Sequence, residues 1–102
     1  VTVDASGKYA YVANFTSNNV TQYTIGADGA LAPMATATVA AELFPLSITV
    51  DPSGKFAYVA NYGSDNVSQY TIGANGALAP MTAATVAAGT VPTSVTTAGS
   101  RQ

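Results

Sequence analysis

Short apolar segments alternate with polar or glycine-rich turns along the chain, and the whole series occurs twice. A segment of aromatic, β-branched and alanine residues at Tyr9–Asn14 is followed by further apolar segments at Val20–Ile25 and Leu31–Val39. The second series begins 47 residues later, and 29 of the 38 positions from Val3 to Ala40 are identical in it. Short strands between turn signals, repeated at a period of about 40–50 residues, predict the four-stranded blades of a β-propeller.

The pattern predicts four strands in each copy, which we denote A to D. Strand B contains almost only aromatic, β-branched and alanine residues, as expected where both faces of a strand are buried. Strand D includes Pro33 or Pro80, which has no backbone donor and suits an edge strand. The predicted strands are A at Val1–Val3 and Ser47–Val50, B at Tyr9–Asn14 and Phe56–Asn61, C at Val20–Ile25 and Val67–Ile72, and D at Leu31–Val39 and Leu78–Val86.

The fold class is therefore predicted to be all-β, with two four-stranded antiparallel blades in a single module over residues 1–102. The first repeat covers about 1–46 and the second about 47–91. Residues 92–98 begin strand A a third time, which is one strand more than two blades need. Because an unpaired strand edge is unfavourable, we expect this extra strand to pair with strand B, residues 9–14, of a neighbouring copy.

The composition has few charged residues. Only 8% of the residues are charged, against roughly 25% in an ordinary soluble domain, while 48% are hydrophobic. This scarcity suggests that much of the apparent surface is covered. The net charge is −2 and no basic cluster exists, which argues against a nucleic-acid partner. No apolar run approaches the roughly 18 residues of a membrane-spanning segment.

The residue types that most often perform catalysis or bind metals are missing. The chain has no cysteine and no histidine, so it lacks thiolate ligands, the commonest general base and the commonest metal ligand. Asp4 and Asp51 each precede a Ser-Gly turn, where we expect them to accept backbone hydrogen bonds. A calcium site would need more oxygen ligands than one carboxylate per blade. We therefore predict neither a metal nor a cofactor.

Three motifs of the second copy resemble a known repeat. Asp51–Lys55, Tyr58–Asn61 and Asn66–Ser68 resemble the YVTN β-propeller repeat, which is found in lactonase-like seven-bladed propellers, including the 6-phosphogluconolactonase family, and in bacterial surface proteins. The resemblance implies that strand A is innermost and strand D outermost. It also implies that the B–C turns and the D–A connections share one rim of the ring. An extracellular or cell-surface location in a bacterium is favoured on the same basis.

The resemblance implies catalytic residues that this chain does not have. Lactonases of this class use charged and histidine side chains from several blades, whereas this chain has one glutamate, Glu42, and one arginine, Arg101. We therefore expect a non-catalytic scaffold or binding module. The alternative is a fragment or relative of a lactonase-type hydrolase that acts on sugar lactones.

Two blades alone leave two faces uncovered. If a blade face resembles a standard protein contact, each open face measures roughly 800 Å², more than monomers usually expose. We therefore expect head-to-tail self-association into a closed homo-oligomeric ring, as a trimer with six blades or a tetramer with eight. A second interpretation is that the chain is a piece of a longer propeller.

Any binding site is expected on the rim formed by the B–C turns and the D–A connections, because loops on a rigid scaffold often bind ligands. The two D–A connections differ between the copies, and the first adds Glu42 and Phe44. The ligand could be a small molecule, a glycan or a protein, and drift in a repeat loop is an equally weighted explanation. The other candidate residues, from the B–C turns, are Asn14, Phe15, Asn61, Tyr62 and Asp65.

Overall fold

The computed structural model describes residues 2–4, 6–90, 92 and 94 and contains two four-stranded antiparallel sheets. Each sheet follows the chain order, so neighbouring strands are joined as hairpins. No helix in the described residues is long and apolar enough to cross a membrane. Blade 1 consists of β1 (Thr2–Val3), β2 (Tyr9–Asn14), β3 (Asn19–Ile25) and β4 (Leu31–Ala40), and blade 2 of β5 (Pro45–Val50), β6 (Phe56–Asn61), β7 (Asn66–Ile72) and β8 (Leu78–Ala87).

The predicted all-β fold with two four-stranded antiparallel blades is confirmed, and the strand limits differ from the prediction by one or two residues. Strand C starts one residue early in each blade because Asn14 pairs with Asn19, and Asn61 with Asn66, at the hairpin end. Strand β5 starts at Pro45 because Pro45 also pairs with Asn61, after which the register shifts. The predicted extra strand at 92–98 lies largely outside the described residues, and closure into a ring remains a prediction.

The turn before strand B is held by an aspartate in each blade, as predicted. The Asp4 carboxylate accepts hydrogen bonds from Ser6 Oγ at 2.7 Å and from the backbone nitrogens of Lys8 and Tyr9, both at 3.1 Å. Partial burial raises the pKa of Asp4, but these hydrogen bonds outweigh it and hold the pKa below its ordinary value. In blade 2, Asp51 accepts hydrogen bonds from Ser53 in the same way.

The core of the molecule lies between the two blades. Tyr11 and Val20 of blade 1 are fully buried there, against Val59, Tyr70 and Leu78 of blade 2. The innermost strands approach each other, since β1 and β2 both contact β5. Tyr11 and Tyr70, from strands β2 and β7, therefore pack between the two blades.

Three hydrogen bonds cross this core. The Tyr11 hydroxyl donates to the Gly76 carbonyl at 2.5 Å, and the Tyr70 hydroxyl donates to the Ala40 carbonyl at 2.6 Å. Gln22 accepts the third, from Leu78 N at 2.6 Å. Buried phenols without partners would destabilise the fold, so these bonds allow large tyrosines to fill the contact.

Burial of Tyr11, together with the nearby Asp4 and Tyr9, raises the pKa of its phenol to about 12. Because the pKa of Tyr11 lies above the ordinary 10.0, its phenol makes its full contribution to the free energy of unfolding below pH about 10. That contribution should be lost as the pH rises through about 12. Urea unfolding at a series of alkaline pH values should therefore show a falling free energy of unfolding.

The variant Tyr11→Phe should lower the free energy of unfolding at neutral pH by about 1–3 kcal/mol, because the buried Gly76 carbonyl loses its donor. Its alkaline decline should be shallower than that of the unmodified chain. Equal alkaline slopes in the two proteins would contradict the assignment of this pH dependence to Tyr11.

Candidate functional site

The D–A connection between the blades, residues 41–44, is enclosed by the B–C turns of both blades. From blade 1, Asn18 accepts hydrogen bonds from Ala41 N on its carbonyl oxygen at 3.0 Å and from Phe44 N on Oδ1 at 2.9 Å. From blade 2, Ser64 Oγ accepts a hydrogen bond from Leu43 N at 2.9 Å. The connection is therefore a fixed part of the rim, and both B–C turns contribute to it.

Asn18 and Ser64 are site-forming residues that the sequence interpretation missed. Asn18 has a left-handed backbone with φ 59°, and Asp65 occupies the same turn position in blade 2 with φ 55°. Asn and Asp are enriched at such positions because their short polar side chains tolerate this conformation. The recurrence of Asn or Asp at this turn position was the signal that could have identified Asn18.

Phe15, Phe44 and Tyr62 form a cluster of aromatic side chains on this rim, which we call the aromatic cluster. The rings of Phe15 and Phe44 are stacked, with centroids 4.8 Å apart and an interplanar angle of 16°. Tyr62 lies across Phe15 at 6.2 Å and 55°. About two fifths of each side chain is exposed, at 43% for Phe15, 39% for Phe44 and 38% for Tyr62. Three predicted site residues are thus brought together.

Phe44 is held in an unfavourable backbone conformation. Its φ is 54°, a left-handed value that is a genuine outlier for a bulky residue and costs on the order of 1–3 kcal/mol. The bonds to Asn18 and the hydrogen bond from Tyr62 N to the Phe44 carbonyl at 2.9 Å maintain it. Gly63 makes room for the ring, because a Cβ there would lie 2.5 Å from Phe44 Cδ2.

Asn14 and Asn61 lie on the same rim, but their amide nitrogens hold the hairpins together. Asn14 Nδ2 donates to Asn19 Oδ1 at 2.8 Å and to Thr21 Oγ1 at 2.6 Å. Asn61 Nδ2 makes the matching bonds in blade 2, to Asn66 at 2.9 Å and Ser68 at 2.8 Å. Both side chains therefore support the turns on which the aromatic cluster is built.

The two predicted carboxylates occupy different places. Glu42 is exposed and lines a cavity of about 150 Å³ between the blades, together with Tyr70 and Pro80. Burial is the main cause of the raised pKa of Tyr70, and the charge of Glu42 adds to it. Asp65 is exposed in the B–C turn of blade 2, where its carbonyl accepts a hydrogen bond from Ala88 N at 3.0 Å. The ring contacts of the aromatic cluster involve only Phe15, Phe44 and Tyr62 among the described residues.

Charged and metal-ligating groups are sparse around the aromatic cluster. Within residues 2–4, 6–90, 92 and 94, no group of three or more His, Cys, Asp or Glu side chains could hold a metal ion. Lys8 and Lys55 lie in the turns before β2 and β6, whereas the aromatic cluster lies at the other end of these strands. Six residues of strand separate the two ends by roughly 20 Å. The described rim therefore presents aromatic and carboxylate groups without a nearby lysine.

A family model described as "Lactonase, 7-bladed beta-propeller" matches residues 1–96 of the chain. The structure is similar to a putative 6-phosphogluconolactonase from Bacteroides fragilis, with a TM-score of 0.78 and 19% identity over 86% of this chain. A putative 6-phosphogluconolactonase from Bacteroides uniformis gives a TM-score of 0.77 and 20% identity over 86% of this chain. A protein from Lactobacillus plantarum gives a TM-score of 0.80 and 23% identity over 90% of this chain. No curated protein matches the chain.

The chain spans about a quarter of the length of these three proteins, at 25%, 26% and 26%. The matches contradict the expectation of a non-catalytic scaffold and favour the lactonase-type alternative. That expectation was wrong because it relied on the absence of histidine from two blades alone. The active sites that the resemblance implies are built from residues of several blades.

The variant Gly63→Thr, which introduces the residue of the equivalent position in blade 1, should displace Phe44. The added Cβ overlaps the ring, and overpacking of this kind costs about 1–3 kcal/mol of unfolding free energy. The Phe15–Phe44 ring contacts should weaken in NMR spectra.

Gly89→Thr is the matched control, because a Cβ at Gly89 meets no atom within 4 Å and should change stability by less than about 0.5 kcal/mol. Equal effects of the two substitutions would show that Phe44 does not need the space above Gly63.

Proposed function

We propose that this chain, which belongs to the family of seven-bladed lactonase β-propellers, provides two blades of a hydrolase that opens sugar lactones. The observation that supports the proposal is the exposed aromatic cluster on the rim between the blades. Its residues come from three separate segments of the chain, and an unfavourable Phe44 backbone is retained there. Strained and exposed groups of this kind concentrate at functional sites.

Lactone hydrolysis adds water to the carbonyl carbon and breaks the ring C–O bond, which leaves a carboxylate and a hydroxyl group. The site must therefore hold the sugar ring still and accept a proton from the attacking water. A sugar ring has one face made largely of C–H groups, which can lie flat on an aromatic side chain. The stacked Phe15 and Phe44 rings, with Tyr62 beside them, supply such a surface.

Glu42 is the candidate base for the attacking water. It is exposed, and it lies only two residues before Phe44, so their Cα atoms are at most about 7 Å apart. The cavity that Glu42 lines, of about 150 Å³, can hold several waters, since each occupies roughly 30 Å³ of the liquid. A carboxylate next to ordered water and a bound lactone would accept the proton in the attack step.

The charges on the described rim favour binding of the uncharged lactone ring of the substrate over binding of a phosphate group. A phosphate on the substrate would require cationic or backbone donors. Lys8 and Lys55 are roughly 20 Å away at the other end of the strands. We therefore infer that the described rim binds the uncharged part of the sugar, and that a phosphorylated lactone would need donors from elsewhere.

Replacing Phe44 by alanine should raise KM for gluconolactone roughly tenfold, since one aromatic contact is worth on the order of 1 kcal/mol or more. Initial rates of acid release, followed by pH indicator, would measure the change. Thr82→Ala on the outermost strand β8 is the control and should leave KM unchanged. If the 102-residue chain neither hydrolyses nor binds gluconolactone, the proposed function is wrong.

Replacing Glu42 by glutamine should lower kcat by about 10²–10⁴-fold and leave KM nearly constant, because proton transfer from water is lost while the sugar contacts remain. A kcat within twofold of the unmodified chain would remove Glu42 from the mechanism.

A further inference from the structure

The turn between β7 and β8 contains Asn75 followed by Gly76, and we propose that Asn75 is a site of spontaneous deamidation controlled by the contact between the blades. The chain has five other asparagines, and each of them precedes a larger residue. A glycine has no Cβ to hinder its backbone nitrogen, so this nitrogen can approach a neighbouring side chain closely. Asn75 is therefore the asparagine at which attack by the following backbone nitrogen is least obstructed.

The deamidation reaction needs water as its co-reactant and releases ammonia. The Gly76 nitrogen loses its proton and bonds to Asn75 Cγ, while the bond from Cγ to the side-chain nitrogen breaks and ammonia leaves. The product is a cyclic succinimide, which water then opens at one of its carbonyl carbons. Opening at Cγ gives aspartate. Opening at the main-chain carbonyl carbon gives isoaspartate, in which the backbone runs through Cγ.

Solvent reaches the Asn75 side chain. Asn75 is exposed and lines a cavity of about 250 Å³ beside β3 and β4 of blade 1, together with Thr24, Met34 and Thr36. A cavity of that volume holds several waters, since each occupies roughly 30 Å³ of the liquid. The water that opens the succinimide and the ammonia that leaves therefore have a direct path between the site and the solvent.

The attacking nitrogen, in contrast, is held inside the closed turn. Gly76 is buried, and its N–H donates to the Gly73 carbonyl at 2.9 Å. The Gly76 carbonyl accepts a hydrogen bond from the Tyr11 hydroxyl at 2.5 Å. The Tyr9 ring packs so closely against Gly76 that a side chain there would overlap it. The attack therefore requires the turn to open locally, and two tyrosines of blade 1 oppose that opening.

Blade 1 shows that an aspartate fits this turn. Asp28 holds the position of Asn75 in the repeat. Its Oδ1 accepts a hydrogen bond from Ala30 N at 3.0 Å, and the Asn75 Oδ1 accepts the matching bond from Ala77 N at 3.1 Å. Since the oxygen alone makes this bond, the aspartate product should keep the turn and the contact between the blades.

The isoaspartate product does not fit the turn, because its backbone is longer by one carbon atom immediately before Gly76. Gly76 is the residue whose carbonyl binds Tyr11 and whose backbone lies against the Tyr9 ring. Its displacement should therefore break contacts between the blades. A buried carbonyl that loses its donor raises the ratio of unfolded to folded chain by roughly tenfold to a hundredfold.

The test follows the loss of ammonia from the 102-residue chain at mildly alkaline pH by peptide mapping with mass spectrometry. Asn75 should react ahead of every other asparagine, and at least about tenfold more slowly in the folded chain than in urea. Tyr11→Phe should raise the folded rate roughly fivefold or more, because the Gly76 carbonyl is released. Tyr70→Phe is the matched control, since it removes the bond to Ala40 in the same contact, away from the turn, and should leave the rate within about twofold.

Stability of the products completes the test. Asn75→Asp should keep the urea midpoint of the unmodified chain, whereas an aged sample should unfold in two transitions. The fraction that unfolds at lower urea should equal the isoaspartate fraction in the peptide map.

Three results would overturn the proposal. Asn75 that reacts no faster than the other asparagines would remove the site itself. Equal rates in the folded chain and in urea, or equal acceleration by Tyr11→Phe and Tyr70→Phe, would remove the control by the blade contact. A single unfolding transition in a sample rich in isoaspartate would remove the effect on that contact. None of these measurements involves lactone turnover, so they are independent of the proposed function.

Discussion

The buried contact between the two blades holds the molecule together, because neither sheet has a core of its own. The fully buried side chains of blade 1 pack against blade 2, and three hydrogen bonds cross the same surface. A single antiparallel sheet with two apolar faces would expose both of them to water. The contact therefore stabilises both blades at once, and it also sets their relative orientation.

That orientation determines the candidate site. The aromatic cluster takes one ring from the B–C turn of each blade and one from the connection between them. The connection is held by Asn18 from one side and Ser64 from the other, so a change in the blade angle would break these bonds. Stability of the blade contact and geometry of the site are therefore coupled. The left-handed Phe44 backbone persists because groups on both blades fix it.

The repeat gives the structure its directionality. Each blade has one face with tyrosine and glutamine donors and acceptors and another with leucine and a glycine turn, and the two faces fit each other. The low charge of the chain agrees with blade faces that are largely apolar. The chain covers about a quarter of the length of its lactonase-like neighbours, so it corresponds to a part of their structures.

The sequence was sufficient to predict the two blades, their strands and the edge position of the proline-containing strands. Those properties follow from local chemistry, because strand period, turn glycines and the 47-residue repeat are all visible in the residues. Phe44 was predicted as a rim residue because its connection differs between the repeats, and Phe15 and Tyr62 because they lie in the B–C turns. The folded chain was needed to show that their rings meet, that Asn14 and Asn61 hold the hairpins together, and that Glu42 lines a cavity outside the aromatic cluster. These facts depend on how two blades pack across residues far apart in the chain, and no local pattern specifies that distance or angle.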